Sequence, residues 1–93
     1  MPTVQDLYND TTRNYNKKKI ETFDMLIDYI LTAVERGNYS VTIVLNEGEN
    51  DLFEYQYDAI GMVMNTWLGI GFTMNQMDRH IVTFSWDEID TSV

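Results

Sequence analysis

His80-Ile81-Val82-Thr83-Phe84-Ser85-Trp86 decides the fold, because it has the strongest strand character in the chain. Its β-branched and aromatic residues suit a pleated, half-buried surface, and its period of two sends alternate side chains to opposite faces. Upstream, Ile70-Gly71-Phe72-Thr73-Met74-Asn75 alternates in the same way, and Gln76 to Arg79 supplies a turn. The two runs therefore read as a hairpin. A third run, Tyr39-Ser40-Val41-Thr42-Ile43-Val44-Leu45, also alternates and is rich in β-branched residues.

Helical spacing separates these runs. Phe53, Tyr57, Ile60, Met64, Trp67, Leu68 and Gly71 recur at intervals of three and four, with Asp51 as the expected N-cap and Glu54 three residues on. Gly69 is the expected stop. Gly61 is expected to allow a close approach to a sheet or helix. Before the first strand, Ile20, Phe23, Ile27, Ile30, Leu31 and Val34 form a stripe that predicts a helix from Lys18 to Arg36, ended by Gly37. That stripe is the expected core face.

The order is α-β-α-β-β. A strand, a helix and a second strand make a right-handed crossover when the strands are parallel. The last strand then folds back antiparallel into the centre. The expectation is an α+β two-layer sandwich with a three-stranded sheet in order 1-3-2 and both helices on one face. The opposite sheet face lacks cover, and Thr42, Thr73, Thr83 and Val44 are candidates to point there.

Ninety-three residues make a single domain, with 1–19 as a possible projecting helical arm and 87–93 as an acidic tail. Thr3 or Asp6 is a candidate cap for an earlier helix start. Val4, Tyr8, Thr11 and Tyr15 step at helical spacing, roughly half a turn from the Ile20–Val34 stripe, and Leu26 and Tyr29 join them. One small domain does not easily cover both faces of one helix. Val4, Tyr8, Tyr15, Leu26 and Tyr29 are therefore the expected docking face.

Composition narrows the function. The 44% apolar content is that of a folded protein. With no cysteine there is no thiolate metal site and no thiol nucleophile. Fifteen acids against six Lys and Arg give a net charge of -9, which excludes a general phosphate-backbone binder. The charge is uneven: residues 1–36 carry six acids and five bases, and residues 37–93 carry nine acids and one base. Glu47, Glu49 and Asp51 head an acidic loop and are the expected charged interaction residues; their spacing does not fit an EF-hand. Lys17-Lys18-Lys19 is the one basic run, read as a solvated helix turn or as a contact with an acidic neighbour.

No catalytic constellation emerges. His80 is the sole histidine, expected on the surface at a strand start, and Asp78 is too local to orient it. No serine sits at a strand-to-helix elbow. Gly69-Ile70-Gly71 precedes a strand, which rules out a dinucleotide loop. The expectation is no enzyme, no metal and no cofactor. No run approaches the ~18 continuous apolar residues of a membrane span. The N-terminus does not read as a secretory signal, so no membrane partner is expected.

The layout resembles small uncharacterised tailed-bacteriophage proteins. The residues that carry the resemblance are "RGNYSVTIVL" after a long charged helix, "LGIGF" after the second helix, and "HIVTFSW" at the last strand, together spanning roughly residues 8 to 86. The chain departs from the pattern in its six methionines and its acidic second half. The resemblance implies a non-enzymatic phage protein in the virion or the host cytoplasm. Such a protein is a structural or assembly component that works by self-association, as a homo-oligomer, or by docking on other phage proteins. The alternative is an acidic inhibitor that imitates nucleic acid before a host nucleic-acid-binding protein.

Overall fold

The computed structural model describes residues 2–46 and 51–86. Two helices, α1 (Val4–Glu35) and α2 (Glu54–Thr66), combine with strands β1 (Ser40–Val44), β2 (Gly71–Met74) and β3 (Ile81–Ser85). The sheet order is β1-β3-β2, and both outer strands run antiparallel to β3. The α+β layout expected from the alternating runs is the one observed.

The two strand ladders fix which side chains go inward. Val41 lies opposite Phe84 and Ile43 opposite Val82, while Phe72 and Met74 meet the same two β3 residues from the other side. Ile43, Val82 and Phe84 are buried there, and the Phe72 and Phe84 rings pack at 5.4 Å. The opposite face carries Thr42, Thr83 and Thr73 in one row, with a Thr42–Thr83 hydroxyl contact of 2.9 Å. Val44 shares that face and is exposed.

The helix faces differ from the expected ones. On α1 the buried residues are Thr22, Leu26, Ile30 and Ala33. Ile20, Leu31 and Val34, expected in the core, are exposed, and Phe23 and Ile27 are half-buried. On α2 the buried residues are Gln56, Ala59, Ile60 and Val63; Phe53, Tyr57 and Met64 of the expected stripe are exposed, and Leu68 beyond the helix is too. The cause is the same in both helices. Thr22 and Ala33 on α1, with Gln56 and Ala59 on α2, are small or polar residues, so the spacing of large apolar residues does not mark the buried faces. Larger residues such as Ile20 and Tyr57 lie outside these buried sets. Trp67 and Trp86 pack half-buried against the core.

α1 is one continuous helix, longer than the expected Lys18–Arg36. Thr3 accepts a hydrogen bond from the Asp6 amide and Asp6 accepts one from the Thr3 amide, a reciprocal capping box. At the other end Asn38 donates to the Ala33 carbonyl and Gly37 to that of Val34, with Gly37 at φ 78°, a Schellman stop. At 1.5 Å per residue its 32 residues span about 48 Å. The radius of gyration is accordingly 16.0 Å, against about 12 Å for a compact chain of this size.

α2 starts later than expected. Phe53, not Asp51, occupies the cap position, and its amide donates to Gln56 Oε1 at 2.9 Å. A Cβ on Gly61 would meet nothing within 4 Å, so this glycine permits no close approach.

Candidate functional site

The α1 residues from Val4 to Asn14 are all exposed, about 16 Å of helix with no cover from the other described residues. Contact begins at Tyr15. Its hydroxyl donates to Asp58, and its ring meets Tyr55 edge-on at 6.4 Å. Tyr55 stacks in turn on Phe53. Lys18 Nζ lies 5.8 Å from the Tyr55 ring centre and Lys19 Nζ 5.8 Å from that of Tyr15, which places both ammoniums in cation–π range. Two lysines of the basic run thus serve the α1–α2 junction.

Beyond this junction the arm presents Val4 at 83% exposure, Leu7 at 56% and Tyr8 at 66%. At about 100° per residue, Val4 and Tyr8 fall on the same side of the helix as Tyr15, Thr22, Leu26 and Ala33. The stripe expected to face away from the core is thus the core-facing stripe, continued past the end of α2.

The expected docking residues divide accordingly. Leu26 is fully buried and is a core residue, which corrects its placement on a docking face. Tyr15 is half-buried against α2. Val4 and Tyr8 stay open on the arm, as does Tyr29 on the packed half. Leu7 joins Val4 and Tyr8, a residue the three-and-four spacing passed over although it lies one turn from Val4.

Of the acidic residues, Glu47 and Glu49 lie outside the described residues, as do Asp87, Glu88 and Asp90. Asp51 is engaged within the chain. Its carboxylate accepts hydrogen bonds from the Tyr57 hydroxyl and the Leu52 amide, and Arg79 lies 3.8 Å away. The Tyr57 bond, then the Leu52 amide, hold the Asp51 carboxyl below the usual carboxylate range. The same bond pushes the Tyr57 hydroxyl up. These contacts tie the start of α2 to the turn between β2 and β3.

Gln56 is a second tie that the spacing did not single out. It is buried, and its side-chain amide exchanges hydrogen bonds with that of Asn46 at 2.6 and 3.0 Å. It thereby joins the end of β1 to α2. His80 is half-buried rather than on the open surface, and its Nδ1 is buried with no hydrogen-bond partner among the described residues.

Among the described residues no group of three His, Asp or Glu is placed to hold a metal ion, and no helix is long and apolar enough to cross a membrane. No family model, curated protein or solved structure matches the chain.

Proposed function

We propose that this chain is a non-enzymatic interaction protein, a structural or assembly component of a tailed bacteriophage. It acts by docking its N-terminal helical arm on a protein surface. The observation that carries the reading is the arm itself. An 11-residue helix held by a capping box projects from a small domain and displays Val4 and Tyr8 in line with the domain's own core stripe, with Leu7 exposed beside them. An isolated helix of this length is marginal in water. Here it is propagated from the packed half of α1 and fixed at Thr3, so it meets a partner already ordered. The phage setting is supported by the resemblance carried on "RGNYSVTIVL", "LGIGF" and "HIVTFSW".

The test is incorporation. Particles purified from infected cells that supply a tagged chain are expected to carry it in many copies by mass spectrometry. A chain with Leu7→Asp and Tyr8→Asp is expected to fold yet be left out of the particle. Absence of the wild-type chain from purified particles overturns the reading.

A further inference from the structure

The placement of charge around the arm says what kind of surface it meets. From Val4 to Tyr15 the charged side chains are Asp6, Asp10 and Arg13. Their spacing of four and three sets them on one line of the helix, within about 60° of one another. Asp10 and Arg13 pair along that line at 3.3 Å, both exposed. The line lies about 140–180° around α1 from Tyr8 and Tyr15, on the side away from the core stripe.

The rest of the arm's circumference, about 220°, carries no charge. Within it Val4, Leu7, Tyr8 and Thr11 stand at positions i, i+3, i+4 and i+7, the spacing by which an amphipathic helix seats in a groove. Gln5, Asn9 and Thr12 run along one flank, where the Gln5 amide donates to Asn9 Oδ1 at 3.1 Å. One facing element needs a stripe of only about 100°. An uncharged arc twice as wide fits walls on two sides.

The packed half of α1 already shows that arrangement. There the helix lies against two elements, α2 and β1. The arm continues the same side of the helix beyond them, past the Tyr55–Phe53 stack, with Phe53 itself half exposed.

We infer that the arm's partner is an uncharged, apolar, two-walled groove on another protein. The groove takes Val4, Leu7, Tyr8 and Thr11 on its floor and Gln5, Asn9 and Thr12 along one wall. It leaves Asp6, Asp10 and Arg13 in water. The inference rests on the reading of the arm as a docking element and adds the chemistry of what it docks on. A second copy's arm fits less well. Val4, Leu7 and Tyr8 are the large apolar residues that each arm of residues 4–14 has to offer, and a stable pair buries about 1,200 Å² or more. A lipid surface fits less well too, because the arm has no row of basic residues to border its apolar face.

The test uses the full tagged chain and particles purified from infected cells, with copies per particle read by mass spectrometry. Thr11→Lys and Thr12→Lys each put one charge inside the uncharged arc. Lysine is a better helix former than threonine, so the arm keeps its helix, as circular dichroism checks. Each change is expected to lower the copies per particle about 10-fold or more, because the groove offers the charge no partner. Asp10→Asn with Arg13→Gln removes the exposed pair on the outer line and is expected to leave the copy number within about 2-fold. Washing loaded particles in about 1 M NaCl is expected to release none of the chain, since screening weakens ionic contacts and spares apolar ones.

Normal incorporation of both lysine variants overturns the inference. So does loss of the Asp10/Arg13 double variant from the particle, or release of the chain by salt. Each of these leaves docking by the arm standing. Absence of the wild type from particles overturns the docking reading and this inference with it. A wild-type dimer in sedimentation that Thr12→Lys dissociates overturns the inference in favour of a second copy. Binding to neutral phosphatidylcholine vesicles that Thr12→Lys abolishes overturns it in favour of a lipid surface.

Discussion

The two halves of α1 have one backbone and one continuous stripe but opposite fates. From Thr22 to Ala33 the stripe is buried against α2 and the sheet; from Val4 to Tyr8 the same side of the helix stands in water. The difference is not periodicity, which runs through both. It is coverage: α2 reaches as far as the Tyr15–Tyr55 contact, and none of the described residues covers the helix beyond it. An apolar stripe therefore reports that a helix face wants a partner, without saying whether the partner belongs to the same chain.

Substitution separates the halves most sharply. Leu26→Ala in the packed half removes a fully buried side chain and is expected to cost about 3 kcal/mol in urea unfolding. Leu7→Ala in the arm is expected to change the same measurement by less than about 0.5 kcal/mol. A comparable cost at both positions would mean that the arm is packed in the free protein.

Next in size is the cap. Thr3→Ala removes the hydroxyl that accepts from the Asp6 amide, one of the two hydrogen bonds of the capping box, and is expected to cost about 1 kcal/mol. That loss should be confined to the arm, with the amides of residues 4–8 exchanging about 5-fold faster and those of 22–33 unchanged. A uniform rise along α1 would mean that the two halves open as one unit.

The contrast of covered and open positions extends to α2. Gly61 faces open space inside the helix, so Gly61→Ala is expected to raise stability by about 0.5–1 kcal/mol through helix propensity alone. Thermal unfolding measures it, and a fall would place a neighbour where none is seen.

The smallest effect is at Asp51. Its carboxyl is held low, mainly by Tyr57, so the folded state binds that proton less readily than the unfolded chain. The stability it contributes is present above the ordinary carboxylate range and is lost as pH falls below about 4. Asp51→Asn is expected to flatten that part of the pH–stability curve slightly. An unaltered acid limb would show that the Tyr57 contact contributes nothing.

The sheet was legible in the sequence because its signal is short-range. Tyr39–Leu45, Ile70–Asn75 and His80–Trp86 alternate with turn residues between them, and order 1-3-2 follows from placing the strongest strand in the middle. The helix faces were not legible. The buried faces include Thr22 and Ala33 on α1 and Gln56 and Ala59 on α2, residues that hydrophobic periodicity passes over, while Ile20, Leu31, Val34 and Tyr57 lie on faces that the described residues leave open. The same bias sent Leu26 to the wrong side of α1. The continuity of α1 through the polar run from Asn9 to Lys19 was equally hidden. Helix needs only satisfied backbone there, and the packed half and the Thr3 cap supply the two ends.

Site-specific photo-crosslinking tests the central claim, that the arm is a docking element. A photoreactive residue replaces Tyr8 on the arm or, as a control, Asp28 on the exposed acidic side of α1, in cells assembling the particle. The account predicts one defined adduct from position 8 and none from position 28. No adduct at position 8, or the same adducts from both positions, would contradict it.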